Sequence, residues 1–151
     1  MPAEVRVFLD TSMLFAAVLS ETGGSRLILE LGEAGAIQLV VGPRVLQEAD
    51  GVLERKAPQH KGLFALLLDR ASVIVGPAPD AASLEQAGDV IAYVPDAHVL
   101  AEAIAAKSDY LVSLNHKHLV GNPRAAVLSF PIGSPGDFLA WFRERVQAKA
   151  K

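Results

Sequence analysis

The stretch Val5-Arg6-Val7-Phe8-Leu9-Asp10-Thr11-Ser12 decides how this chain is read. Val5 to Leu9 is an apolar run interrupted only by Arg6, which suits a short strand. From Thr11 to Leu19 the spacing becomes one that a helix accepts, and Asp10 stands at the hand-over. Strand, turn and helix in that order open a crossover unit of a parallel sheet.

The same alternation recurs along the chain. Gly23 and Gly24 break the first helix, and Ser25 is placed to cap a second one through Gly32. Ile37 to Val41 predicts the second strand; Gly42-Pro43 then opens a helix over Arg44 to Lys56, which Pro58 ends. A helix over His60 to Arg70 leads to a third strand, Ala71 to Val75, and to a loop from Gly76 to Asp80. Ala81 to Gly88 fits a small helix, Asp89 to Val94 follows no pattern, and Pro95-Asp96 opens an alanine-rich helix through Lys107. Tyr110 to Leu114 and Ala126 to Phe130 supply the fourth and fifth strands, and Ser134 to Gln147 the last helix. This predicts one doubly wound α/β domain over residues 1–147, with a mainly parallel sheet of about five strands, and a frayed tail at 148–151.

Bulk properties agree with a single domain. The chain has 151 residues, 51% of them apolar, which suits a sheet covered on both faces. No window approaches the roughly 18 uninterrupted apolar residues of a membrane span, and Met1-Pro2-Ala3-Glu4 lacks the basic and then apolar run of a signal peptide. The expectation is a cytoplasmic protein without membrane association. With no cysteine, disulfides, thiolate metal sites and thiol nucleophiles are all excluded, so any metal must be held by oxygen or imidazole. A net charge of -3 argues against a protein that coats nucleic acid through massed lysines, but it leaves room for a nuclease with carboxylates at its centre.

In a doubly wound sheet, ligands bind outside the carboxyl ends of the strands. Asp10 follows the first strand directly, and Glu48 lies in the early turns of the helix after the second. The helix begun by Asp96 runs about 16 Å, at roughly 1.5 Å per residue, and packs antiparallel to the strand after it. Its start therefore lies beside that strand's end, at Asn115, whereas Asp109 falls at the far end as a turn residue. Each acid also has a bland role: Asp10 and Asp96 as helix caps, Glu48 as a solvated side chain. Three carboxylates on one edge are more telling, because they repel one another unless a cation such as Mg²⁺ or Mn²⁺ joins them. The chemistry such a site suits is phosphodiester hydrolysis.

In order and spacing, Val7 to Ser12, Pro43 to Glu48, Pro95-Asp96 to Ala103, Asp109 to His118 and Ser134 to Leu139 resemble the blocks of the PIN domain family. The resemblance implies a three-layer α/β/α domain and a metal-dependent ribonuclease, often the toxin of a type II toxin-antitoxin pair, with an RNA substrate, an antitoxin partner and a homodimer. It implies Asp10, Glu48 and Asp96 as ligands of Mg²⁺ or Mn²⁺, with Thr11 or Ser12 and Ser113 as nearby hydroxyls. Asn115 stands where many members have a fourth acid. Its carbonyl can still bind Mg²⁺ or a water, but it carries no charge and cannot act as a base. The second reading is therefore a catalytically weakened module that binds RNA or a protein partner.

Around these residues, His116, Lys117 and His118 are placed to meet RNA phosphates, as is Arg44, against the ordinary alternative of a solvated turn and helix face. Arg55, Lys56, His60, Lys61 and Arg70 form a loose basic group on helix surfaces. Trp141 and Phe142 are expected to pack on the core. A phosphatase using Asp10 as covalent acceptor, like the haloacid-dehalogenase enzymes, would want an aspartate where Ser12 stands.

Overall fold

Val7, Phe8 and Leu9 are wholly buried, as the side chains of a central parallel strand must be. They belong to β1 (Arg6–Leu9), which hydrogen-bonds β2 (Gln38–Val41) on one side and β4 (Tyr110–Val112) on the other. The computed structural model describes residues 5–150. Two short edge strands, β3 (Ile74–Val75) and β5 (Ile132–Gly133), complete a five-stranded sheet of order β3-β2-β1-β4-β5, and every pairing is parallel. The chain moves outward from β1 through β2 to β3 and then crosses back to β4. The β1/β4 seam is therefore the topological switch point, where a ligand crevice opens at the carboxyl ends.

Among the described residues seven α-helices cover the sheet: α1 (Thr11–Leu19), α2 (Gly24–Glu33), α3 (Pro43–Lys56), α4 (Lys61–Arg70), α5 (Ala81–Val90), α6 (Val94–Ala105) and α7 (Pro135–Ala150). The α/β/α architecture agrees with the sequence. Tyr110, Phe138 and Trp141 meet edge to face or tilted, Phe142 stacks on Phe138, and together they seat α7 against the sheet. No helix among the described residues is long and apolar enough to cross a membrane.

Several boundaries differ from expectation for identifiable reasons. Ser25 is buried inside α2 rather than capping it; Gly23 holds the cap position and offers no side-chain bond. The third strand shrinks from Ala71–Val75 to two residues, because Ala71 ends α4 and Ser72 turns the chain with a φ of 54°. Asp89 and Val90 extend α5, and α6 begins at Val94 and stops at Ala105, short of Lys107, whose φ is 55°. The fourth strand ends at Val112; Ser113 still donates its N–H to the Gly133 carbonyl at 3.0 Å, while its hydroxyl turns to Asp10 and Asn115. Ala126 to Phe130 is not a strand: Pro123–Val127 forms a 3-10 turn capped by Asn122, and pairing waits until Ile132. Helix α7 continues past Gln147 to Ala150. The reading of Met1 to Glu4 lies outside the described residues.

Candidate active site

Because Phe8 pairs with Leu111 and Leu9 with Val112, the two strands end side by side, and Asp10 and Ser113 emerge together. The Asp10 backbone N–H still donates to the Val112 carbonyl at 3.3 Å. Asp10 is also the N-cap of α1, accepting from the Met13 N–H at 2.9 Å, so its bland role is real. It is not the only one. Ser12 Oγ donates to Oδ1 at 2.7 Å and Ser113 Oγ donates to Oδ2. Each hydroxyl oxygen in turn accepts a backbone N–H of the loop after β4, Ser12 from Leu114 at 3.0 Å and Ser113 from Asn115 at 2.9 Å.

Asp10 is 4% exposed. Burial pushes its carboxyl above the usual aspartate range, the bonds from Ser113, Met13 and Ser12 pull the other way, and the nearby charge of Asp96 adds to the rise. A caged, buried carboxylate beside a second acid gains most when a cation is added. Asp10, Thr11, Ser12, Glu48, Asp96 and Asn115 all line one concavity of about 290 Å³ at the switch point.

The acid on α6 is not a helix cap, since Tyr93 holds that position and Asp96 lies in the first turn. Asp96 Oδ2 instead receives Asn115 Nδ2 at 3.1 Å and meets His118 Nδ1 at 2.5 Å. This alters the expected part of Asn115. Its Oδ1 accepts the N–H groups of Lys117 and His118, both at 3.0 Å, while its Nδ2 faces Asp96, so both ends of the amide are committed to bracing.

Glu48 lines the concavity from α3 but is itself exposed. Among the described residues no three carboxylate or imidazole groups stand close enough to share a metal as they are placed. The acids thus share a cavity but not a finished coordination shell. The donor set nonetheless suits a hard divalent cation. All the acids offer oxygen, and Thr11 Oγ1 is buried with no hydrogen-bond partner at all, an atom that a bound cation or its water would satisfy.

The remaining residues divide. Lys117 and His116 line a neighbouring concavity, with His118 on the wall between the two. Arg44 does not reach the carboxylates; it lines a separate concavity with His98 and Glu102. Asp109 accepts from the Arg6 N–H at 2.7 Å, the turn role its spacing assigns. The loose basic group splits as well, since Lys61 pairs with Glu54 and Asp50 while Lys56 lines the carboxylate cavity. Lys56 follows Glu48 and Val52 at steps of four along α3, a periodicity visible in the sequence. Glu102, which caps α3 from a distance, and Tyr93, which stacks on His118, carry no such local signal.

A family model described as the PIN domain matches residues 6–117. The chain belongs to the PIN domain family. The matched span carries Asp10, Glu48, Asp96 and Asn115 and stops before the Ser134 to Leu139 segment. Among solved structures, the chain is similar to one in the crystal structure of VapBC2 from Rickettsia felis bound to a DNA fragment from their promoter, at a TM-score of 0.59 and 18% identity, covering 86% of this chain and 98% of that one. At such identity the likeness speaks for the PIN fold alone. No protein of curated function matches the chain in sequence.

Proposed function

We propose that this PIN domain is a metal-dependent endoribonuclease that hydrolyses RNA phosphodiester bonds, with Mg²⁺ or Mn²⁺ held by Asp10, Asp96 and Glu48. The observation that carries the reading is the caged and buried Asp10, sharing a concavity with two further acids and an unpartnered Thr11 hydroxyl. A cation there would acidify a water and neutralise charge on the phosphate. The protein's own part is placement. Ser12 and Ser113 fix both oxygens of Asp10, Asn115 and His118 fix one oxygen of Asp96, and Val52, Val99 and Leu119 supply an apolar wall. Lys56 is the cation of the lining and suits a phosphate oxygen of the substrate. On the same reading the protein acts as the toxin of a toxin-antitoxin pair in the cytoplasm, held by an antitoxin and assembled as a homodimer, a role that its PIN fold is compatible with.

Purified protein should cleave single-stranded RNA with Mn²⁺ or Mg²⁺ and stop when the ion is chelated. Cleavage that survives exhaustive chelation would sink the metal-dependent reading. The Asn115 amide motivates the second reading, a weakened module that only binds RNA or protein, and robust Mn²⁺-dependent cleavage by the unaltered chain rules that out.

Asn115→Asp tests the brace directly. An aspartate can still accept from Lys117 and His118, but it sets a carboxylate oxygen against Asp96 where an amide now donates. The expected result is a metal-free variant less stable by about 1–2 kcal/mol, recovering with added Mn²⁺ by more than the unaltered protein does in a thermal melt. Equal melting of the two proteins without metal would show that the Asn115–Asp96 bond contributes nothing.

A further inference from the structure

Beside the carboxylate cavity lies a second concavity of about 480 Å³, formed by the end of α5, the segment leading into α6, and the loop 116–124. Its volume is in the range that holds a small ligand. It is built rather than incidental. Asn122 Nδ2 donates to the Val90 carbonyl at 3.3 Å and to the His118 carbonyl at 2.9 Å, tying the loop to α5, and Gly121 turns the chain between them at a φ of 79°.

The lining is unusual for a chain of net charge -3, because it includes Lys117, Arg124 and two histidines and no carboxylate. His116 lies near Asp137 of α7 and lowers that acid's pKa, after the larger influence of Ser134, but Lys117 and Arg124 pair with no acid among the described residues. Tyr93 stacks on His118, ring centroids 5.0 Å apart and planes inclined by 22°, yet remains 54% exposed. A large aromatic ring held flat by one neighbour and open to solvent beside unpaired cations is the arrangement by which proteins seat an unpaired base and its phosphates. His118 also touches Asp96, so this platform adjoins the carboxylates.

We propose that Tyr93, stacked on His118, is the base platform of a nucleotide subsite for single-stranded RNA, with Lys117 and Arg124 holding the flanking phosphates. This rests on the ribonuclease reading for the identity of the strand, but it concerns binding and not cleavage. Double-stranded RNA offers no free base face and does not use the platform.

The test is fluorescence anisotropy on the whole chain without divalent ions, using a single-stranded oligoribonucleotide and an abasic strand of equal length. Tyr93→Ala should weaken binding of the base-bearing strand roughly tenfold and leave the abasic strand unchanged. Tyr93→Trp should restore it, while Lys117→Ala and Arg124→Ala weaken both strands. If Tyr93→Ala weakens both strands alike or neither, or if the unaltered protein binds no single strand, the subsite is overturned. Because no cleavage is measured, failure here is separable from failure of the nuclease reading, which is decided by the chelation experiment.

Discussion

Asp10→Asn is expected to lower metal-dependent RNA cleavage by on the order of a thousandfold or more, and at the same time to raise the melting temperature of the metal-free protein above the pH at which the folded-state Asp10 ionises. The first effect follows from removing the buried charge at the centre of the cavity. The second follows from what that charge costs when no cation is present. Burial raises the folded-state pKa of Asp10 above its unfolded value. A group shifted that way stabilises the fold below the unfolded pKa, and the contribution is lost as pH rises through the folded pKa. Above that raised folded pKa the metal-free fold carries a buried anion, compensated by hydrogen bonds and the N-terminus of α1 but by no cation. Asparagine keeps an acceptor for the Met13 N–H and remains a good N-cap, so the helix start survives. From about pH 4 upward, through the raised folded pKa, the unaltered protein should lose stability that the variant keeps. Saturating Mn²⁺ should reverse the order, since ion at a hundred times its dissociation constant stabilises only the competent protein, by about 2.7 kcal/mol. Scanning calorimetry with and without ion checks both halves. A variant that still cleaves would remove Asp10 from the centre of the mechanism, and a metal-free stability difference that does not grow in the variant's favour as pH rises would show that burial does not penalise the Asp10 charge.

That crossing of stabilities shows why some of this molecule was legible in advance and some was not. Strand β1 and helix α1 are visible because Val7 to Leu9 and Thr11 to Leu19 have one period each, and the carboxyl-edge rule then places Asp10 without knowledge of its partners. The short edge strands are not visible. Ile132-Gly133 has too few residues for a period, and the more apolar Ala126 to Phe130 competes for the assignment until Pro123 and the Asn122 cap turn its start into a 3-10 turn. The same division runs through the site. Residue types predict that Asp10, Glu48 and Asp96 meet in one cavity, but the direction in which an amide faces is a tertiary fact. Asn115 appears in sequence as a weakened ligand and in the fold as the brace of Asp96. Tyr93 sits in a stretch without periodicity, and its meaning arises only when loop 116–124 brings His118 against it.

Glu102→Ala should destabilise the protein by about 3 kcal/mol, a drop of roughly 10 °C for a chain of this length. Gly42 occupies the N-cap of α3 and has no side chain to satisfy the helix's first N–H groups. Glu102, from the third turn of α6, supplies the missing cap from a distance: Oε2 accepts from the Arg44 N–H at 2.8 Å and Oε1 from the Val45 N–H at 3.3 Å. It is only 1% exposed, so its charge is compensated by those donors and by the positive end of the α3 dipole. Truncation leaves two donors without acceptors and a void beside them. The glycine is required by the same contact. A Cβ at position 42 would stand 2.2 Å from the Glu102 Cδ, so Gly42→Ala should be comparably harmful although its backbone, at a φ of -85°, would accept any residue. The two changes should not add. Once Glu102 is alanine nothing obstructs a methyl at position 42, and the double variant should be no less stable than Glu102→Ala alone. Additive losses in urea melts would mean that the two residues act independently. Because α3 also carries Glu48 and Lys56 into the carboxylate cavity, the Glu102 variant should need more metal for half-maximal cleavage, even at temperatures where it remains folded. An unchanged metal requirement would show that the position of α3 is set by its packing and not by this remote cap.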